Sequence, residues 1–214
     1  IAASLMSARE VAGDFYDFYH LEDGRLAVLI ADVSGKGIPA ALFMALSVTV
    51  LRFGMSLNLA PGEVTRRANE LIITDQRSRM FATVFITYLD LDSGEMQISS
   101  AGHNPAVLYN AEQKSCEYRS ASGVALGIFK GAAFAEESAH LAPGDILVLY
   151  TDGITEVLNS DEDEFGEERL EQIIIENADR SAQTIATQVL REVSVFAGDQ
   201  NLFDDATLVV VKRV

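Results

Sequence analysis

The chain has 214 residues, 49% hydrophobic and 22% charged, an ordinary globular composition with apolar mass for one large core or two small ones. Its formal charge of −16 argues against a nucleic-acid binder and against contact with anionic membrane, while suiting metal cations and basic partner surfaces. No apolar run reaches the roughly 18 to 20 uncharged residues of a membrane span, no Pro/Ser linker or repeat divides the chain, so one domain over 1–214 is expected, and the single Cys116 excludes an internal disulfide and fits a reducing, cytoplasmic compartment.

The N-terminus carries no signal-peptide pattern and no initiator Met, so the chain reads as a piece of a longer protein. Residues 13–20 and 25–33 predict a hairpin, turned at Glu22, Asp23 and Gly24. The second of these strands is apolar on both faces and should be central. Gly35 and Gly37 then break the chain, and Pro39 sits in the first turn of a helix running to about Leu57. That helix is apolar nearly all round, which predicts burial. Pro61 starts a second helix, to about Asp75, with Val64, Ala68, Leu71 and Ile72 as its stripe. A hairpin at 81–91 and 95–101 follows, then shorter strands at 106–110, 116–119 and 134–141. Pro143, Gly144 and Asp145 turn into a strand at 146–150; helices are expected at 166–177 and 181–197, and a central strand at 207–212. Strand runs separated by helix pairs indicate α+β layers. A four-layer αββα sandwich, two mostly antiparallel sheets flanked by helix pairs, buries both faces of the apolar strands.

Four short motifs place aspartates at the ends of apolar, β-rich runs: Asp14 in AGDFYDF, Asp32 in ADVSGKG, Asp152 in YTDGITE, and Asp204 with Asp205 in DDATLVVV. Gathered carboxylates repel one another and their pKa values rise; a cation removes that cost. Hard divalent ions such as Mg²⁺ and Mn²⁺ take oxygen ligands, whereas three His and one Cys with no paired spacing argue against zinc. Gly13 and Gly35 allow tight backbone near such ions. Asp204 and Asp205 are adjacent at the start of a strand and point to opposite faces, so one of the two is a direct ligand at most, and the other orients a ligand or water. Cys116, between Ser115 and Glu117, has nothing to lower its pKa and reads as a passive thiol. The acidic run 161–164 with Glu167 and Glu168 reads as a solvated loop and helix start.

The ordered set EVAGDFYDF, IADVSGKG, MFATVFITYLDLDSGEMQISSAGHNP, VALGI, LYTDGITE, FGEERL and DDATLVVV spans essentially the whole chain. It resembles the PPM family of metal-dependent serine/threonine phosphatases, in its bacterial SpoIIE-like branch. The resemblance implies an αββα fold and a site holding two or more Mn²⁺ or Mg²⁺ ions, whose bridging hydroxide attacks phosphorus in line without a phosphoenzyme. Residue by residue it implies that Asp32 bridges, with the carbonyl of Val33 as a backbone ligand, that Asp152 and Asp204 hold one metal, and that Asp14 serves the other. It also implies a phosphorylated STAS-domain anti-anti-sigma factor as substrate, an upstream receiver or sensor domain, and regulation through the helix pair at about 38–76. A homodimer is compatible with it.

Some positions stay open. Asp17 would face the other side of the strand from Asp14, as an orienting or a structural group. His103 in AGHNP is either a general acid for the leaving group or a turn histidine fixing the 102–105 loop. Glu156 either lines the site or caps a turn, and Arg9 and Lys36 are candidate phosphate contacts. The chief alternative to an active enzyme is a catalytically silent, phosphatase-like module that sequesters a signalling partner. A two-metal nuclease would need a basic groove that the sequence lacks.

Overall fold

The computed structural model describes residues 1–8, 11–74, 80–198 and 204–214. The chain forms two compact units. One comprises Ile1–Glu10, Asn104–Arg119 and Leu141–Val214; the other comprises Val11–His103 and Ser120–His140.

The first unit is built on a five-stranded sheet. β1 (Ala2–Met6) lies at one edge, followed by β10 (Ala206–Lys212), β9 (Ile146–Tyr150), β6 (Ala106–Asn110) and β7 (Ser115–Arg119), every pairing antiparallel. The one-turn helix α3 (Asp152–Thr155) follows β9, and α4 (Gly166–Glu176) and α5 (Ala182–Ala197) pack on the sheet. The Ser181 hydroxyl caps α5 by accepting from the Thr184 N–H at 3.2 Å. Val148, Tyr150, Leu208 and Val210 meet Leu170, Ile174, Ile185 and Val189 in a buried apolar layer. Asp145 fixes the turn before β9: its buried carboxylate accepts from Ala111 N–H at 2.8 Å and Ala142 N–H at 3.0 Å.

In the second unit the sheet order is β2 (Phe15–His20), β3 (Leu26–Val33), β4 (Ala82–Leu89), β5 (Glu95–Ala101) and β8 (Glu136–His140), again all antiparallel. Helices α1 (Ile38–Ser56) and α2 (Pro61–Thr74) cover it through Phe43, Leu51, Met55, Val64 and Ile72, against Phe15, Leu29, Ala31 and Ile86. Each unit thus has one antiparallel sheet and one helix pair. The fold is α+β with two antiparallel sheets, as expected.

Three elements differ from expectation. β1 and α3 are additional, both short. The predicted burial of α1 is overturned: Leu51 is fully buried, but Ile38 is 73% exposed and Leu42 68%. An apolar helix on the outside of a sheet buries only the face it turns to its neighbours. By length and composition this helix is long and apolar enough to cross a membrane, a length the sequence reading had put out of reach. It instead packs on α2, β2 and β3.

Candidate metal centre and catalytic residues

In the second unit the β2–β3 hairpin gathers the first two motifs. Its ladder ends at Phe15 opposite Ala31. Asp14 immediately precedes this end and Asp32 follows Ala31 there, and on the other side Asp32 faces Thr83 of β4. Residues opposite each other on neighbouring strands point to the same face. Asp32 and Thr83 therefore share a face, opposite Ala31 and Val33, which pack with the helices, and Asp14 adjoins Phe15 at the same end. Asp14 is buried and Asp32 half-buried. Gly13 is pressed against the loop that follows β3: a Cβ there would stand 3.0 Å from the carbonyl oxygen of Val33. That approach sets the Gly13 backbone beside the carbonyl singled out by the resemblance.

His103 belongs to the same end of the sheet. It is buried; its Nδ1 and the Thr83 hydroxyl are 2.8 Å apart, and its N–H donates to the Ser100 hydroxyl at 3.3 Å. Thr83 was not visible as a site residue in the sequence, where it is one polar residue inside a strand. Lys36 is half-buried in the turn between Gly35 and Gly37, both with positive φ. Arg9 lies outside the described residues. Asp17 faces the helices instead: it accepts from Arg52 of α1 in a two-pronged ion pair, at 2.5 and 2.6 Å. It ties α1 to β2.

The first unit gathers the other two motifs. Thr151, at the end of β9, has its hydroxyl accepting from Thr207 N–H at 3.0 Å and donating to the Asp205 carbonyl at 3.4 Å. A Cβ on Gly153 would fall 2.0 Å from that carbonyl oxygen. Asp152, half-buried at the start of α3, is thereby held beside the Asp204–Asp205 turn. The two neighbours differ. Asp205 is buried, and its Oδ1 accepts from the Ser7 hydroxyl at 3.2 Å and Ala8 N–H at 2.8 Å. Asp204 is exposed and accepts from Asp205 N–H at 2.9 Å. Ser7 and Ala8 follow β1, whose pairing with β10 bridges some two hundred residues of sequence, so no local pattern announces them.

Negative charge accumulates here. The carboxyl of Glu156 is raised above its ordinary range, first by the protein crowded around it and then by Asp152, with Glu164, Asp204 and Glu167 adding repulsion. Cys116 is inert: burial and Glu171 push its thiol up to about 12. Among the described residues no three His, Cys, Asp or Glu side chains already converge closely enough to hold one ion. The donors nevertheless fit hard divalent cations. They are carboxylates at strand ends together with a backbone carbonyl that glycine leaves uncovered, and no soft ligand stands among them.

A fold of this kind with acidic strand ends defines a class, the PP2C-type serine/threonine phosphatases. The SiaA PP2C domain of Pseudomonas aeruginosa superposes with a TM-score of 0.86 over 99% of this chain and 86% of its own, at 16% identity. Residues 22–214 match the family model of stage II sporulation protein E (SpoIIE), and the chain belongs to that family. It is 31% identical to the phosphoserine phosphatase RsbU of Bacillus subtilis over its whole length, and 31% identical to protein IcfG of Synechocystis sp.. The chain spans 63% of the length of the first and 38% of the second.

Proposed function

We propose that the chain is the phosphatase domain of a longer bacterial, cytoplasmic signalling protein. It hydrolyses phosphoserine or phosphothreonine on a STAS-domain partner of the anti-anti-sigma class. The carrying observation is that Asp14 and Asp32 adjoin the same end of the β2–β3 ladder, with Gly13 against the Val33 carbonyl. In that unit Asp14, Asp32 and the Val33 carbonyl hold Mn²⁺ or Mg²⁺. In the other unit Asp152 and Asp204 are the metal-holding carboxylates. Asp205, engaged with Ser7 and Ala8, holds the turn on which Asp204 stands. When bound, such ions polarise a phosphoryl oxygen and make water nucleophilic at neutral pH.

The chain's own groups position and move protons. In the imidazolium form of His103, Nδ1–H donates to the Thr83 hydroxyl, which holds the ring so that Nε2–H can be given to a leaving serine oxygen, returning the neutral imidazole. Lys36 is retained as a phosphate contact on the glycine turn. The lack of a usable thiol agrees with a route that forms no covalent enzyme intermediate.

The test is hydrolysis of a phosphoserine STAS protein with and without Mn²⁺, in the domain and in Asp32→Asn and Asp152→Asn. Activity that needs Mn²⁺ and falls at least a hundredfold in each variant is expected. Full activity in Asp152→Asn sinks the reading. The second reading is a silent binding module that sequesters a signalling partner. Calorimetric titration with Mn²⁺ separates them, because a silent module that lacks a site takes up no ion.

A further inference from the structure

Asn69 of α2 is fully buried, and both ends of its carboxamide reach across some sixty residues of sequence. Its Oδ1 accepts from Gly127 N–H at 2.9 Å, and its Nδ2 donates to the Phe129 carbonyl at 2.9 Å. A side chain here supplies the bonds that a neighbouring strand would otherwise make to the 125–129 loop.

That loop completes the sheet where Asp32 stands. The β4–β5 ladder stops at Phe85 opposite Ser100, short of the first residues of β4. In place of β5, Leu126 pairs with Ala82: Leu126 N–H donates to Ala82 at 2.8 Å and Ala82 N–H donates back at 3.1 Å. Ala82 faces Val33 on its other side, and the next residue, Thr83, faces Asp32 and bonds His103. The β3 side of the same end is closed by Ser34 N–H to the Phe81 carbonyl and by Phe81 N–H to the Ser34 hydroxyl, each 2.9 Å. A strand end paired on one side only opens more readily than one paired on both.

We propose that Asn69 is a positioning residue for the Asp32, Val33 and His103 end of the site, acting through the 125–129 loop. The carboxamide holds the loop, the loop holds the start of β4, and the start of β4 holds the end of β3. This rests on the reading of Asp32 and the Val33 carbonyl as metal-holding groups. Partners that orient metal ligands from outside affect metal affinity or activity by about 10- to 100-fold when removed.

The experiment compares Asn69→Ala and Asn69→Asp with Thr65→Ala. Thr65 is equally buried on the same helix, but its hydroxyl bonds the Pro61 carbonyl and lies beside the Ser99 hydroxyl, away from the loop. Amide exchange, calorimetric Mn²⁺ titration and turnover of a phosphoserine STAS protein are measured on each. Asn69→Ala is expected to speed exchange at Ala82 and Leu126, weaken Mn²⁺ binding about tenfold and lower kcat while leaving KM unchanged. Asn69→Asp keeps an acceptor for Gly127 and falls between Ala and wild type; it carries the test should the alanine variant not fold. Thr65→Ala loses stability without either change. Unaltered exchange at Ala82 and Leu126, or Mn²⁺ affinity shifted no more than in Thr65→Ala, overturns the proposal. A wild type that binds Mn²⁺ but hydrolyses nothing sinks the phosphatase reading alone; one that binds no Mn²⁺ sinks both.

Discussion

A single methyl group at Gly153 would part the start of α3, which carries Asp152, from the turn that carries Asp204. Its carbon would sit 2.0 Å from the Asp205 carbonyl oxygen, so backbone must move. Gly153→Ala is expected to cost about 1–3 kcal/mol in denaturant unfolding, the usual penalty of overpacking, and to abolish phosphoserine hydrolysis. An alanine variant as stable and active as wild type would show that α3 and the turn before β10 need not approach so closely. Gly13→Ala is a milder probe. Its Cβ would stand 3.0 Å from the Val33 oxygen, a contact relieved by a few tenths of an ångström. Stability should change little while the Mn²⁺ concentration for half-maximal activity rises; no rise would remove the Val33 carbonyl from the site. At this scale the aspartates and glycines were legible because each motif is a local phrase. Ser7 and Thr83 were not, because what defines them is a partner 198 residues away in one case and a histidine 20 residues away in the other.

Elements were legible where hydrophobic period and turn residues agree. The β3, β6 and β9 strands and both helix pairs were placed within a residue or two of their observed ends. β1 was missed because five residues paired only with β10 have no local signature, and α3 because a single turn has no period. The reading of α1 failed for a different reason: apolar composition says how much surface is available to bury, not which neighbours exist to bury it. The helix therefore offers a paired test. Leu51→Ala should cost about 2–5 kcal/mol, as for a buried leucine, whereas Leu42→Gln should stay within about 0.5 kcal/mol. Equal costs from thermal or denaturant unfolding would place Leu42 in a core. On α2 the Glu63 carboxyl is lowered to about 2 by hydrogen bonds from Arg66 and Arg67. A depressed carboxyl stabilises the fold above its unfolded pKa, and that contribution fades as pH falls toward about 2. The groups are exposed enough for solvent to screen them. Glu63→Gln should lower Tm slightly at pH 7, and the difference from wild type should vanish between about pH 5 and pH 2. A gap that widens on acidification would mean that Glu63 acts through something other than its charge.

For the molecule as a whole, a charge of −16 destabilises the compact state by self-repulsion, and the strand-end carboxylates add to it locally. Two kinds of cation relieve this in distinguishable ways. Monovalent salt screens all exposed charges and should raise Tm gradually, in wild type and site variants alike. An ion held by Asp14, Asp32, Asp152 or Asp204 binds the folded chain alone. At a free concentration a hundredfold above its Kd it stabilises by about 2.7 kcal/mol, which for a chain of this size is a rise of roughly 5–10 °C in Tm. Micromolar to millimolar Mn²⁺ at fixed ionic strength should therefore shift the thermal transition upward and saturate, and EDTA should reverse it. In Asp152→Asn the saturable component should shrink while the NaCl response stays, because the substitution removes one charge in a pool of thirty-two acidic residues but one ligand in a set of few. If Mn²⁺ raises Tm no further than NaCl of equal ionic strength, the carboxylates are a charge cluster and not a metal centre.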